Sequence, residues 1–116
     1  MNLSRGRLLQ EAEALAATFS RFRTPGSGQP VAPALVGQVL RLLQDSPSLE
    51  ALELYLRALP GSSIAQRTGS SGPQVTEVVR RVRALAGALR DEAPEPEVVE
   101  GLRYVLGWTR RLMVAG

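Results

Sequence analysis

Cysteine, histidine and lysine are all absent from the 116 residues. Without cysteine there is no disulfide, no thiolate nucleophile and no sulfur-ligated metal site. Without histidine the chain lacks the commonest general base and metal ligand near neutral pH. Without lysine there is no Schiff-base chemistry and no phosphate-binding loop of the usual lysine-containing kind. Serines are present, but none has a base to activate it. The carboxylates, from Glu11 and Glu13 to Glu97 and Glu100, show no spacing suited to paired acid–base work. The expectation is a protein that is not an enzyme and holds neither metal nor cofactor.

Aromatic residues are also scarce: Phe19, Phe22, Tyr55, Tyr104 and Trp108. A core must then be built from Leu, Val and Ala, which favours helices over a sheet sandwich. Every one of the 14 basic side chains is arginine, and the formal net charge is +3. Such a balance permits a nucleic-acid partner without requiring one. No run is apolar and long enough to span a bilayer, and Arg5, Arg7 and Glu11 interrupt any signal-like stretch at the start. The sequence therefore reads as a cytoplasmic, single all-α domain covering residues 1–116, with no membrane partner.

Taken in order, Ser4 caps a first helix that reaches about Arg23, with Leu8, Ala12, Leu15, Phe19 and Phe22 in a coiled-coil-like 4-3-4-3 seam. Residues 24–33 read as a linker, since Pro25, Gly26, Gly28, Pro30 and Pro33 disfavour helix and strand. Such a linker would leave the first helix free to pack on a second protomer. A helical core spans 34–89. Its opening helix, from about Pro33 to Gln44, is apolar around much of its circumference and should be buried. Ser46 is expected to cap the next helix, with Pro47 at its first position. That helix buries Leu49, Leu52, Tyr55, Leu56 and Leu59, and Pro60-Gly61 ends it. After an acidic, proline-rich break from Arg90 to Glu97, a last helix occupies 95–115. Alternating β-branched runs are missing, so no β-wing is expected.

Within the core, residues 62–89 carry the most specific pattern. Ser62 or Ser63 can cap a short helix, and Gly69 suits its left-handed end. Ser71 and Gln74 form an S-x-x-Q capping box, and Pro73 falls in the first turn of a new helix. Ile64, Ala65, Gly69, Val75 and Val78 stand where two helices meeting at a tight turn need small, turn-tolerant and branched residues. In these residues the stretch resembles the helix-turn-helix of bacterial repressors and activators, a motif superfamily, over about a quarter of the chain. The resemblance implies about six helices, a trihelical core with flanking terminal helices, and a second motif helix lying in the DNA major groove. It implies a sequence-specific, double-stranded DNA-binding transcription regulator.

At roughly 100° per residue, Val75, Val78, Val79, Val82, Leu85, Ala86 and Leu89 share one face of that second helix. Thr76, Glu77, Arg80, Arg83 and Ala84 lie opposite, with Gln74 and Arg81 at the edge. The expected DNA contacts are Gln74, Thr76, Glu77, Arg80, Arg81 and Arg83, with Ser71 holding a phosphate through its backbone N–H. Gly72 and Pro73 depart from the motif, because base-reading side chains often stand there. Glu77 would repel phosphates unless it pairs with Arg81 or accepts from a cytosine. The competing reading is a plain αα-hairpin with a solvated arginine face.

One recognition helix reads few base pairs, so a homodimer is expected. Its interface would use the apolar surface left on the terminal helices: Leu8, Leu15 and Phe19 with Val98, Leu102 and Val105. The rival reading uses the same helices differently, as a small adaptor or inhibitor that binds another protein.

Overall fold

The computed structural model describes residues 3–63, 67 and 72–115. Five helices stand among them: α1 (Arg5–Arg21), α2 (Pro33–Asp45), α3 (Leu49–Ala58), α4 (Gly72–Arg90) and α5 (Glu95–Ala115). No strand occurs among the described residues. Ser63 and Arg67, between α3 and α4, are also helical. Gly69, Ser71, Ile64 and Ala65 lie outside the described residues, and with them the expected motif turn, the serine of the expected capping box and most of the expected sixth helix.

Local chemistry sets the helix ends. The Ser4 hydroxyl accepts the Arg7 N–H at 3.1 Å. Pro33 opens α2, where a missing N–H costs nothing. The cap of α3 is Ser48, whose hydroxyl accepts the Ala51 N–H at 3.3 Å, and not Ser46 as expected. The Ser46 N–H instead closes α2 on the Leu42 carbonyl at 2.7 Å, and Pro47 precedes the cap. Gly61, at φ +79, supplies the left-handed step just past α3 that other residues adopt only at a cost. Glu95 and Glu97 stand in the first turn of α5, where the helix dipole favours negative charge.

The last helix is the centre of the molecule. α1, α2 and α4 all pack on α5, and α3 packs on α2. Val98, Leu102, Val105 and Leu106 of α5 are fully buried, as are Phe19, Leu35, Val36, Val39, Leu43, Val78, Val82 and Leu89 from the helices around it. Two close approaches tighten this packing. At Gly101 an added Cβ would meet Leu3 at 3.3 Å and Leu8 and Leu89 at 3.5 Å. At Gly37 it would meet the Arg110 side chain at 3.0 Å, so that guanidinium lies across α2. Thr109 is buried without penalty because its hydroxyl donates to the Val105 carbonyl at 2.7 Å.

Two expectations are corrected here. Leu8, Leu15, Phe19, Val98, Leu102 and Val105, assigned to a dimer contact, are the chain's own core. The seam of α1 is covered by α5 of the same chain, so it is not surplus surface. The stretch 24–33 is not a free linker either. The Val31 N–H bonds to the Phe19 carbonyl at 3.2 Å, Gly28 N–H to the Thr24 carbonyl at 2.7 Å, and Thr24 N–H to the Gln29 carbonyl at 2.9 Å. Val31 itself enters the core at 1% exposure. The prolines and glycines stop helix and strand, as expected, but the loop they make is folded back on α1.

Candidate nucleic-acid interface

The inward side of α4 buries Val75, Val78, Val79, Val82, Leu85 and Leu89. The spacing of these residues turns a second stripe to solvent. Thr76, Arg80, Arg83, Gly87 and Arg90 recur at steps of four, three, four and three, and all are exposed. At about 1.5 Å rise per residue that stripe is about 20 Å long. Near its start, Pro60, Thr76, Val79, Arg80 and Arg83 line a surface depression of ≈ 400 Å³.

The arginines are held by carboxylates. Arg80 donates to Glu77 at 2.5 Å and Arg81 donates to the other oxygen of Glu77 at 3.3 Å. Glu77 is only 8% exposed. Burial pushes its carboxyl up, but the bonds from Arg80 and Arg81 and their charges outweigh that and hold it below the ordinary value. Arg83 reaches across to α3, where it grips Glu53 with two nitrogens at 2.8 and 3.2 Å. Arg57 adds a third contact to Glu53 at 3.4 Å. The bond from Arg83, chiefly, holds the Glu53 carboxyl below its ordinary value. An exposed pair of this kind is worth about 0–1 kcal/mol. A phosphate can therefore take over such a guanidinium at little cost, and a planar guanidinium fork suits phosphate.

Of the residues assigned from sequence, Thr76, Arg80 and Arg83 come together on the exposed stripe. Arg81 stands beside it, half-buried. Glu77 is turned inward as the clamp between Arg80 and Arg81, and the pairing with Arg81 is the one the spacing suggested. Gln74 does not belong to the outward set. It is 4% exposed, its Nε2 donates to the Thr24 hydroxyl at 3.0 Å and its Oε1 accepts the Ala32 N–H at 3.3 Å. A polar residue at the edge of the arc has been used to tie the 24–33 loop to α4. Arg90 extends the stripe and was missed; its step of seven from Arg83, two helical turns, was the available signal.

Among the described residues, no group of three or more His, Cys, Asp or Glu side chains could hold a metal ion. No described helix is long and apolar enough to cross a membrane. No protein-family model, curated protein or solved structure matches this chain.

Proposed function

We propose that this protein binds double-stranded DNA sequence-specifically, as a small transcriptional regulator, with α4 as the helix that enters the major groove. The observation that carries the reading is the exposed stripe Thr76, Arg80, Arg83 on a helix whose opposite side is locked into the core. Arginine forks can bond guanine edges, and threonine serves either base or phosphate. Glu77 contributes by aiming Arg80 and Arg81 rather than by touching DNA. The adaptor reading loses its motive, because the apolar terminal helices it relied on are buried against each other. A dimeric regulator would have to pair through a face other than the seam of α1 and α5.

The test is a gel shift with Arg80→Ala/Arg83→Ala against the unmutated chain. Both side chains are exposed, so the fold should survive, and removing each guanidinium from a base or phosphate should cost about 1–3 kcal/mol. A well-folded double variant that binds duplex as tightly as the parent would remove α4 from the interface.

A further inference from the structure

Arg21 and Arg23, at the far end of the first helix, play no part in the α4 stripe. Two contacts bring them to the same end of the molecule as the start of α4. Arg7 of α1 is ion-paired to Glu92, just past the end of α4. Thr24, just past the end of α1, is bonded to Gln74 in the first turns of α4 at 3.0 Å. The two helices therefore run antiparallel, and the end of α1 lies beside the first turns of α4. A shallow trough separates them, with Glu11, Ala14 and Thr18 on one side and Arg81, Ala84 and Ala88 on the other; Glu11 stands at the end away from Arg21. Arg21 lies three residues past Thr18, one turn further along α1 toward the start of α4.

This end is depleted of acid by two separate stretches of sequence. No Asp or Glu occurs from Ala14 to Gln44, and Glu77 is the single one from Leu54 to Arg90. Glu77 is inward and already engaged by two arginines. Arg21 and Arg23 are both exposed, and neither makes an ion pair with a described residue. Arg23 uses one nitrogen, Nη1, for the carbonyls of Ser20 and Phe22, each at 2.9 Å. Its other guanidinium nitrogens carry no bond to a described residue. Tethering by Gln74 fixes the start of this loop relative to α4, so the backbone that carries Arg21 and Arg23 is held beside the first turns of α4.

We infer that Arg21 and Arg23 hold the phosphate backbone that borders the groove occupied by α4, a second DNA contact built by α1 and its following loop. The inference rests on the DNA-binding reading of α4. Phosphates are the fitting ligand because Arg21 and Arg23 stand on α1 and its following loop, beside the helix that enters the groove rather than on it, and backbone contacts position a protein without carrying sequence information.

The experiment measures duplex affinity against salt for the parent, for Arg21→Ala/Arg23→Ala and for Arg80→Ala/Arg83→Ala. A sequence enriched from a random duplex pool is compared with a scrambled duplex. Removing two guanidiniums from phosphates should lower the slope of log affinity against log salt by about 2. Over a fourfold rise in salt, the α1 variant should then lose about tenfold less affinity than the parent. It should keep the parent's preference for the enriched duplex, whereas the α4 variant should lose that preference. Arg21→Lys/Arg23→Lys should restore the slope, which a purely structural role would not produce. An unchanged slope in the α1 alanine variant, with the α4 variant impaired, overturns this inference and leaves the α4 reading standing. No effect of either alanine variant, or no duplex binding by the parent, overturns both.

Discussion

Replacing Gln74 by leucine should uncouple the 24–33 loop from α4. The side chain is 4% exposed, and its amide serves the Thr24 hydroxyl and the Ala32 N–H. Leucine fills most of the space but offers neither donor nor acceptor. The Thr24 hydroxyl still donates to the Gln29 carbonyl at 2.6 Å, so the principal orphan is the Ala32 N–H. A buried group left unpaired costs about 1–3 kcal/mol, and the apolar replacement recovers part of that. The net loss should be about 2 kcal/mol. With unfolding entropy of about 2.1 cal/mol/K per residue, a chain of this length has about 0.24 kcal/mol/K, so the midpoint should fall by about 8 °C. Circular dichroism melts provide the assay. Thr24→Val in the same background closes a double-mutant cycle, with an expected coupling of about 1 kcal/mol. A Gln74→Leu chain melting within about 2 °C of the parent would show that the amide is not a structural tie.

Leu102→Ala should cost about 2–5 kcal/mol, the range for emptying a fully buried leucine site. Leu102→Asp should unfold the chain at any concentration; a folded chain of unchanged melting point but halved mass would restore the dimer contact. Glu77→Gln should alter acid sensitivity. The Glu77 carboxyl is held below its ordinary 4.5 in the folded chain, so its stabilising contribution is complete above that pH and is lost as pH falls through the lower folded value. Melting points of the glutamine variant should therefore decline less on acidification below about pH 4.5 than those of the parent, and parallel declines would refute the clamp.

Local periodicity made the helices and their inward faces legible. The 4-3-4 recurrence of Leu8, Ala12, Leu15 and Phe19 marks a stripe, and the valines of α4 mark another. What covers a stripe is a different question, because spacing fixes a face but not its neighbour. The α1 seam could be read as a dimer contact only because nothing in the sequence says that α5 lies on it. Gln74 was misjudged for the same reason: its partner Thr24 is fifty residues away. The bond between Arg83 and Glu53 spans thirty, while the pair Glu77 and Arg81, four apart on one helix, was visible from spacing alone. Ser46 and Ser48 show a smaller ambiguity. Both flank Pro47, and proline suits a helix start as well as the residue before a cap.

Whether α4 reads DNA is decided by selection from a random-sequence duplex pool with the unmutated protein at low salt. If α4 enters the major groove, the retained duplexes converge on a common sequence and bind less tightly as salt rises. A pool that stays unenriched through repeated rounds, with no retarded complex at the lowest salt, would contradict it and leave α4 as one half of a plain αα-hairpin.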